Sequence, residues 1–180
     1  MDRAEAQVER IGAEALAGVA EELAGVLRAS VLDGASLGFV APFSQEDAAR
    51  YWREEVGPTL SGPDRALWVA RAGGAVIGTV QLDCAAKPNQ PHRAEVMKLM
   101  VAPERRRLGA ARALMAALEA EARARGRWLL TLDTASPETA ERLYLSLGYA
   151  RAGAIPAYAR HPTEDAFEPT VFMWKRLDGV

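Results

Sequence analysis

The strongest constraint on the fold lies between residues 95 and 132, where strand, helix and strand patterns follow one another with little chain between them. Glu95 to Val101 reads as a strand, with Glu95, Met97, Leu99 and Val101 on one face and Val96, Lys98 and Met100 on the other. Pro103 ends it. From Leu108 to Arg125 a helix is predicted, with Leu108, Ala111, Leu114, Met115 and Leu118 inward and Gly126 as its C-terminal cap. Glu119 with Arg123, and Glu121 with Arg125, form outward pairs at i, i+4. Trp128 to Leu132 is a second apolar strand, ending at Asp133. Two strands joined by a helix in this way pair in parallel through a right-handed crossover, so the centre of the molecule is a parallel pair with a helix on one face.

The remaining segments build outward from that unit. Leu16, Val19, Leu23, Val26 and Leu27 mark an amphipathic helix over 14–32, while Gln7 to Ile11 fits either a short strand or an extension of that helix. Ser44 followed by Gln45-Glu46-Asp47 opens a second helix to about Val56, stopped by Gly57-Pro58. Leu67 to Ala70 and Val76 to Leu82 flank Gly73-Gly74 and predict an antiparallel hairpin, followed by a loop from Asp83 to His92. Ser136-Pro137 caps a helix with Ala140, Leu143, Tyr144 and Leu147 on one face, closed by Gly148. Tyr149 to Ile155 and Thr170 to Leu177 are the final strands, separated by a loop holding Tyr158, His161, Glu164 and Asp165. The order is that of a mixed α/β domain, and 180 residues without a linker or repeat lead to one domain over 1–180.

Composition narrows the function classes. Hydrophobic residues make up 49% and charged residues 26%, with no long apolar run, which excludes wholesale disorder and predicts no membrane partner. The start, Met1-Asp2-Arg3-Ala4-Glu5, lacks the basic and apolar segments of a secretory leader, so the cytoplasm is the expected location. Cys84 is the single cysteine; it allows no internal disulfide and no multi-cysteine metal site, and its expected state is a buried, inert thiol. No metal site is expected. A formal net charge of −2 gives no general attraction to nucleic acid, yet the arginines at 105 to 107 can hold a smaller polyanion locally.

That arginine cluster stands where a strand gives way to a helix, in Glu104-Arg105-Arg106-Arg107-Leu108-Gly109-Ala110-Ala111. Unpaired N–H groups and the dipole at a helix start favour an anion, and a residue without a Cβ lets a phosphate approach the backbone. The kinase-type loop, which needs Gly-Lys-Ser/Thr, and the Gly-x-Gly-x-x-Gly dinucleotide loop are both absent. A solvated arginine face is the alternative for the string taken alone.

In its context, Arg106-Arg107-Leu108-Gly109-Ala110-Ala111 resembles the pyrophosphate motif of the GNAT N-acetyltransferase superfamily, Arg/Gln-x-x-Gly-x-Gly/Ala. Leu143-Tyr144-Leu145-Ser146-Leu147-Gly148-Tyr149 resembles its downstream signature, and the element order matches over nearly the whole chain. Asp33 to Phe39, Lys87-Pro88-Asn89, Arg93 to Val101, Leu129 to Thr134 and Pro156-Ala157-Tyr158 are similar to the tabtoxin-resistance type within it. Arg107, Leu108 and Ala111 replace more glycine-rich choices of that type, and Met97 replaces a polar residue.

The resemblance implies a central mixed, twisted sheet of about seven strands with flanking helices, in which the two central parallel strands splay and pantetheine lies between them. It implies acetyl-coenzyme A as co-substrate. Leu99, Met100 and Val101 would meet the thioester and pantetheine, with an N–H near Leu99 or Met100 as the oxyanion donor, and Arg106, Arg107, Leu108, Gly109, Ala110, Ala111 and Arg112 would hold the pyrophosphate. Glu95 is the leading general base, against a structural pairing with Arg93 or a lysine. Asp133 is a second base, an ammonium ligand or a turn cap, and Tyr144 is either the acid for the departing thiolate or a core residue. Phe39, Trp52 and Tyr158, with His161, are candidates to line an acceptor pocket. The implied partner is a small-molecule primary amine, such as an amino-acid-like metabolite, toxin or antibiotic. Protein lysine or N-terminal acetylation and non-catalytic sensing of acyl-coenzyme A are the alternatives, and the sequence leaves open whether the chain is a monomer or a homodimer.

Overall fold

The computed structural model describes residues 6–135 and 139–177; the expected cap at Ser136-Pro137 lies outside them. Seven strands form one mixed sheet: β1 (Gln7–Ile11), β2 (Arg65–Ala72), β3 (Ala75–Cys84), β4 (Arg93–Val101), β5 (Leu129–Ala135), β6 (Ala150–Arg160) and β7 (Phe167–Arg176). Their order across the sheet is β1-β2-β3-β4-β5-β7-β6, and only β4 and β5 run parallel. The helices are α1 (Ala13–Leu32), α2 (Gln45–Arg50), α3 (Ala110–Ala124) and α4 (Thr139–Ser146). None of the described helices is long and apolar enough to cross a membrane.

Strand alternation gives the sheet two buried faces. Ala66, Trp68 and Ala70 of β2 join Leu114, Met115 and Leu118 of α3 on one side, while Leu67 and Val69 join Leu23 and Leu27 of α1 on the other. Each fully buried leucine or methionine contributes about 1.5–3 kcal/mol through area removed from water. The sheet thus has α3 on one face and α1 on the other, with α2 packed beside α1. The hairpin between β2 and β3 turns at Gly73 and Gly74 as predicted, and Gln7–Ile11 is a strand paired with β2.

Several boundaries differ from the sequence expectations. The second helix is α-helical only to Arg50; a wide π turn over Tyr51–Val56 and a 3-10 turn over Gly57–Ser61 complete it, with Ser44 and Asp47 closing a reciprocal cap at its start. Strand β5 continues past Asp133 to Ala135 because β7 pairs with it throughout. Strand β6 runs to Arg160, so Tyr158 is a strand residue beside an irregularity at 155–159 rather than part of a loop. Glu119 does not face outward: it is buried, and Lys175 of β7 holds both its oxygens at 2.7 and 2.8 Å. Glu121 and Arg125 make the expected pair at 2.7 Å, but it is part-buried rather than outward, since Arg125 also donates to the Pro63 carbonyl. Cys84 is buried, as expected.

Candidate active site

The site is made where the two central strands stop pairing. Their parallel register holds for Arg93 with Leu129, Ala94 with Leu130 and Glu95 with Thr131, and no further pair forms between β4 and β5. Beyond that point β5 remains bonded to β7 while β4 follows β3, so the facing edges diverge and leave backbone donors and acceptors along both sides of a wedge.

A bulge in β4 lies on one wall of that wedge. Thr79 of β3 faces Met100 and Gln81 faces Met97, so Lys98 and Leu99 together stand opposite the one residue between them. Lys98 takes the left-handed conformation, φ 51°. The extra residue reverses the alternation: Ala94 and Val96 pack on the α3 side, as do Leu99 and Val101, whereas Met100 and Ala102 pack against α1. Glu95 and Leu99, expected on one face, are therefore on opposite faces. Gly78 allows β3 to lie close to this segment, since a Cβ there would stand 2.8 Å from the Met100 carbonyl oxygen.

At the wide end of the wedge the chain makes a short 3-10 turn, Pro103–Arg105, and then enters α3. Gly109 is the N-cap residue with φ 81°, a conformation that glycine adopts without strain, and Arg107 before it has φ 66°. The first acceptor of the helix, the Gly109 carbonyl, is taken by the Ala113 N–H at 3.1 Å, so the N–H groups of Ala110, Ala111 and Arg112 precede the helical ladder. A Cβ on Gly109 would meet no protein atom within 4 Å. Open space above a row of free helical amides fits a pyrophosphate. The arginines are disposed unequally: Arg106 bonds Asp33 at the end of α1 at 2.7 Å, Arg112 reaches Ser146 of α4 at 2.6 Å, and Arg107 is exposed.

Three candidate polar groups are linked through the charge of Asp133. Glu95 is half-buried and makes no hydrogen bond or ion pair with the described residues; Arg93 beside it bonds Gln90 and Thr131 instead. Burial pushes the Glu95 carboxyl above the usual carboxylate range, and the charge of Asp133 adds to the shift against the opposing pull of Arg93. Asp133 accepts a hydrogen bond from the Thr170 hydroxyl at 3.2 Å and is otherwise exposed. Tyr144 lies on α4, packed edge-on against Tyr149 at 5.6 Å; burial holds its hydroxyl protonated well above the ordinary range, and Asp133 acts in the same direction. The charge of Asp133 thus reaches both Glu95 and Tyr144.

Residues 63–151 match the family model for the acetyltransferase (GNAT) domain. Over that stretch this chain is similar to the GNAT acetyltransferase domain. An uncharacterized N-acetyltransferase from the hisH–hisA intergenic region of Azospirillum brasilense is 41% identical over 106 residues, which span 58% of this chain and 61% of that relative. The chain therefore covers about three-fifths of the length of that curated relative. A GCN5-related N-acetyltransferase from Kribbella flavida superposes with a TM-score of 0.76 at 25% identity, over 96% of this chain and 98% of its own. A Salmonella typhimurium protein assigned as an acetyltransferase, solved with its cofactor acetyl-CoA, superposes with a TM-score of 0.70 at 17% identity, over 97% and 95%. The fold is the GNAT fold, with the parallel β4–β5 pair at its centre.

Within this fold the expected acceptor-side residues separate. Phe39 stacks on Phe43 at 4.7 Å and meets Tyr51 edge-on at 5.2 Å, beside the ammonium of Lys98. Trp52 does not line a pocket: it is fully buried in the core under α1, because the wide π turn directs both it and Tyr51 inward. Tyr158 is 52% exposed and packs edge-on against Phe172 of β7 at 5.7 Å. His161 serves its own loop, its Nδ1 accepting from the N–H groups of Thr163 and Glu164. Sequence reasoning passes over Lys98 and Tyr51. The one available signal is that Lys98 is the single charge between Val96 and Val101 of an otherwise apolar strand.

Proposed function

We propose that this protein is an acetyl-CoA-dependent N-acetyltransferase acting on the primary amine of a small, amino-acid-like molecule. The observation that carries this is the divergence of β4 and β5 directly beyond Glu95 and Thr131, with the bulge on one wall and the open start of α3 at the far end. The unpaired edges of the two strands then lie between the start of α3 and a half-buried carboxylate. The motifs shared with the tabtoxin-resistance type support the amino-acid-like acceptor, and the family domain over 63–151 supports the transfer chemistry.

Acetyl-CoA supplies an activated acetyl thioester when bound. The amides at 107 to 112 hold its pyrophosphate, and the free edge of β4 from Leu99 to Val101 lines pantetheine. A main-chain N–H at Leu99 or Met100 donates to the thioester oxygen, on which negative charge develops during attack. Glu95 takes the proton from the acceptor ammonium; its raised pKa suits a base that must lose that proton again near neutrality. Asp133 orients the ammonium, and Tyr144, kept protonated by burial, donates to the departing thiolate.

Isothermal titration of acetyl-CoA into the wild type and a Gly109→Glu variant tests the cofactor assignment. The variant places a carboxylate over the free amides, so the wild type binds and the folded variant does not. Failure of the wild type to bind sinks the proposal, and turnover with peptides but not small amines redirects it to protein acetylation.

A further inference from the structure

Lys98 is left unexplained by the transfer chemistry. It emerges from the β4 bulge with a positive φ and reaches over to the loop between α1 and α2, where Nζ donates to the Leu37 carbonyl at 2.7 Å. The rings of Phe39 and Tyr51 stand 5.7 and 5.8 Å from it. An ammonium has three N–H donors, and this one uses a single conventional acceptor. Among the described residues no carboxylate is within ion-pair distance; Asp133, Glu55 and Glu95 act on it only from farther away, and burial lowers its pKa. A partly desolvated cation without a counterion is costly, and the cost is relieved when an anion arrives.

Glu95 and Asp133 are within electrostatic reach of Lys98, yet neither forms an ion pair with it. Among the described residues Glu95 has no hydrogen-bond or ion-pair partner, and Asp133 accepts only from Thr170. The site therefore presents two carboxylates and, beyond ion-pair distance of them, a cation that emerges from the bulge and is held by a carbonyl.

We infer that Lys98 is the anion-binding point of the acceptor site, so that the acceptor is a zwitterion whose amine is held by Glu95 and Asp133 and whose carboxylate is held by Lys98. This rests on the acetyl-transfer proposal and narrows its substrate class. The competing role for Lys98 is a latch, in which the bond to Leu37 only ties the loop carrying Phe39 to the bulge. A latch affects every acceptor alike, whereas an anion point distinguishes acceptors by charge.

The test is calorimetric binding of L-α-amino acids and their uncharged α-amides to the protein saturated with coenzyme A, for wild type, Lys98→Met and Lys98→Arg, with thermal unfolding confirming that each variant folds. Acids should bind the wild type about tenfold or more tighter than their amides, a difference of about 1.4 kcal/mol. Lys98→Met should level the two series, and Lys98→Arg should restore the preference. Equal weakening of both series by Lys98→Met, or a wild type that shows no preference for acids or binds neither series, overturns the inference. Acids that bind with this preference yet accept no acetyl group overturn the transferase proposal and leave the anion point standing.

Discussion

Glu95 and Asp133 sit on neighbouring strands just where those strands separate, and the charge on Asp133 helps to hold the Glu95 carboxyl above its ordinary pKa. If Glu95 is the base, it must be ionised to act, so kcat/KM rises with pH through the pKa of Glu95 and falls away as pH drops below it. Glu95→Gln should reduce kcat by about 10²- to 10⁴-fold and remove that limb, with acetyl-CoA binding intact. Asp133→Asn removes a cause of the upward shift, so its limb should move to lower pH; a limb that stays in place would assign the titration to another group. Glu95 was legible from the sequence as a carboxylate in the strand before the phosphate loop. Its isolation from Arg93 was not, since that depends on Gln90 and Thr131 capturing the guanidinium from two other segments. Lys98 was hidden for a similar reason, because its role depends on a carbonyl 61 residues away in sequence.

At the level of elements, the strand, helix and strand of the central crossover were legible because their hydrophobic periods are long and uninterrupted. The bulge was not: one extra residue leaves the composition of β4 unchanged while reversing which residues face α1. The wide turn at Tyr51–Val56 escaped in the same way, moving Trp52 from an expected pocket wall into the core. The spacing of β3 and β4 at the bulge depends on Gly78, where a Cβ would press on the Met100 carbonyl oxygen at 2.8 Å and on Val101 Cγ2 at 3.1 Å. Backbone cannot yield as a side-chain tip can, so Gly78→Ala should displace β4, destabilise by about 1–3 kcal/mol in urea unfolding and weaken acetyl-CoA binding through the same displacement. An unchanged urea midpoint would show that β4 has slack at the bulge, and that the oxyanion donor is not fixed by this contact.

For the whole molecule, the two hydrophobic cores are not independent, because one sheet lies between them and single strands feed both. In β2, Leu67 and Val69 enter the α1 side while Ala66, Trp68 and Ala70 enter the α3 side, so neither face can lose its strands without stripping the other. One cooperative transition is therefore expected of these two faces. The two faces carry their own reporters: Trp52 is fully buried beneath α1, and Trp68 is 5% exposed on the α3 side. With Trp128 and Trp174 replaced by phenylalanine, adding Trp52→Phe or Trp68→Phe leaves a reporter on one face only, and fluorescence and far-UV circular dichroism of both variants should give coincident denaturant midpoints. Separate midpoints would mean that the α1 side unfolds by itself. Such independence would also uncouple the acceptor side, with Phe39, Tyr51 and Lys98, from the phosphate cradle at the start of α3.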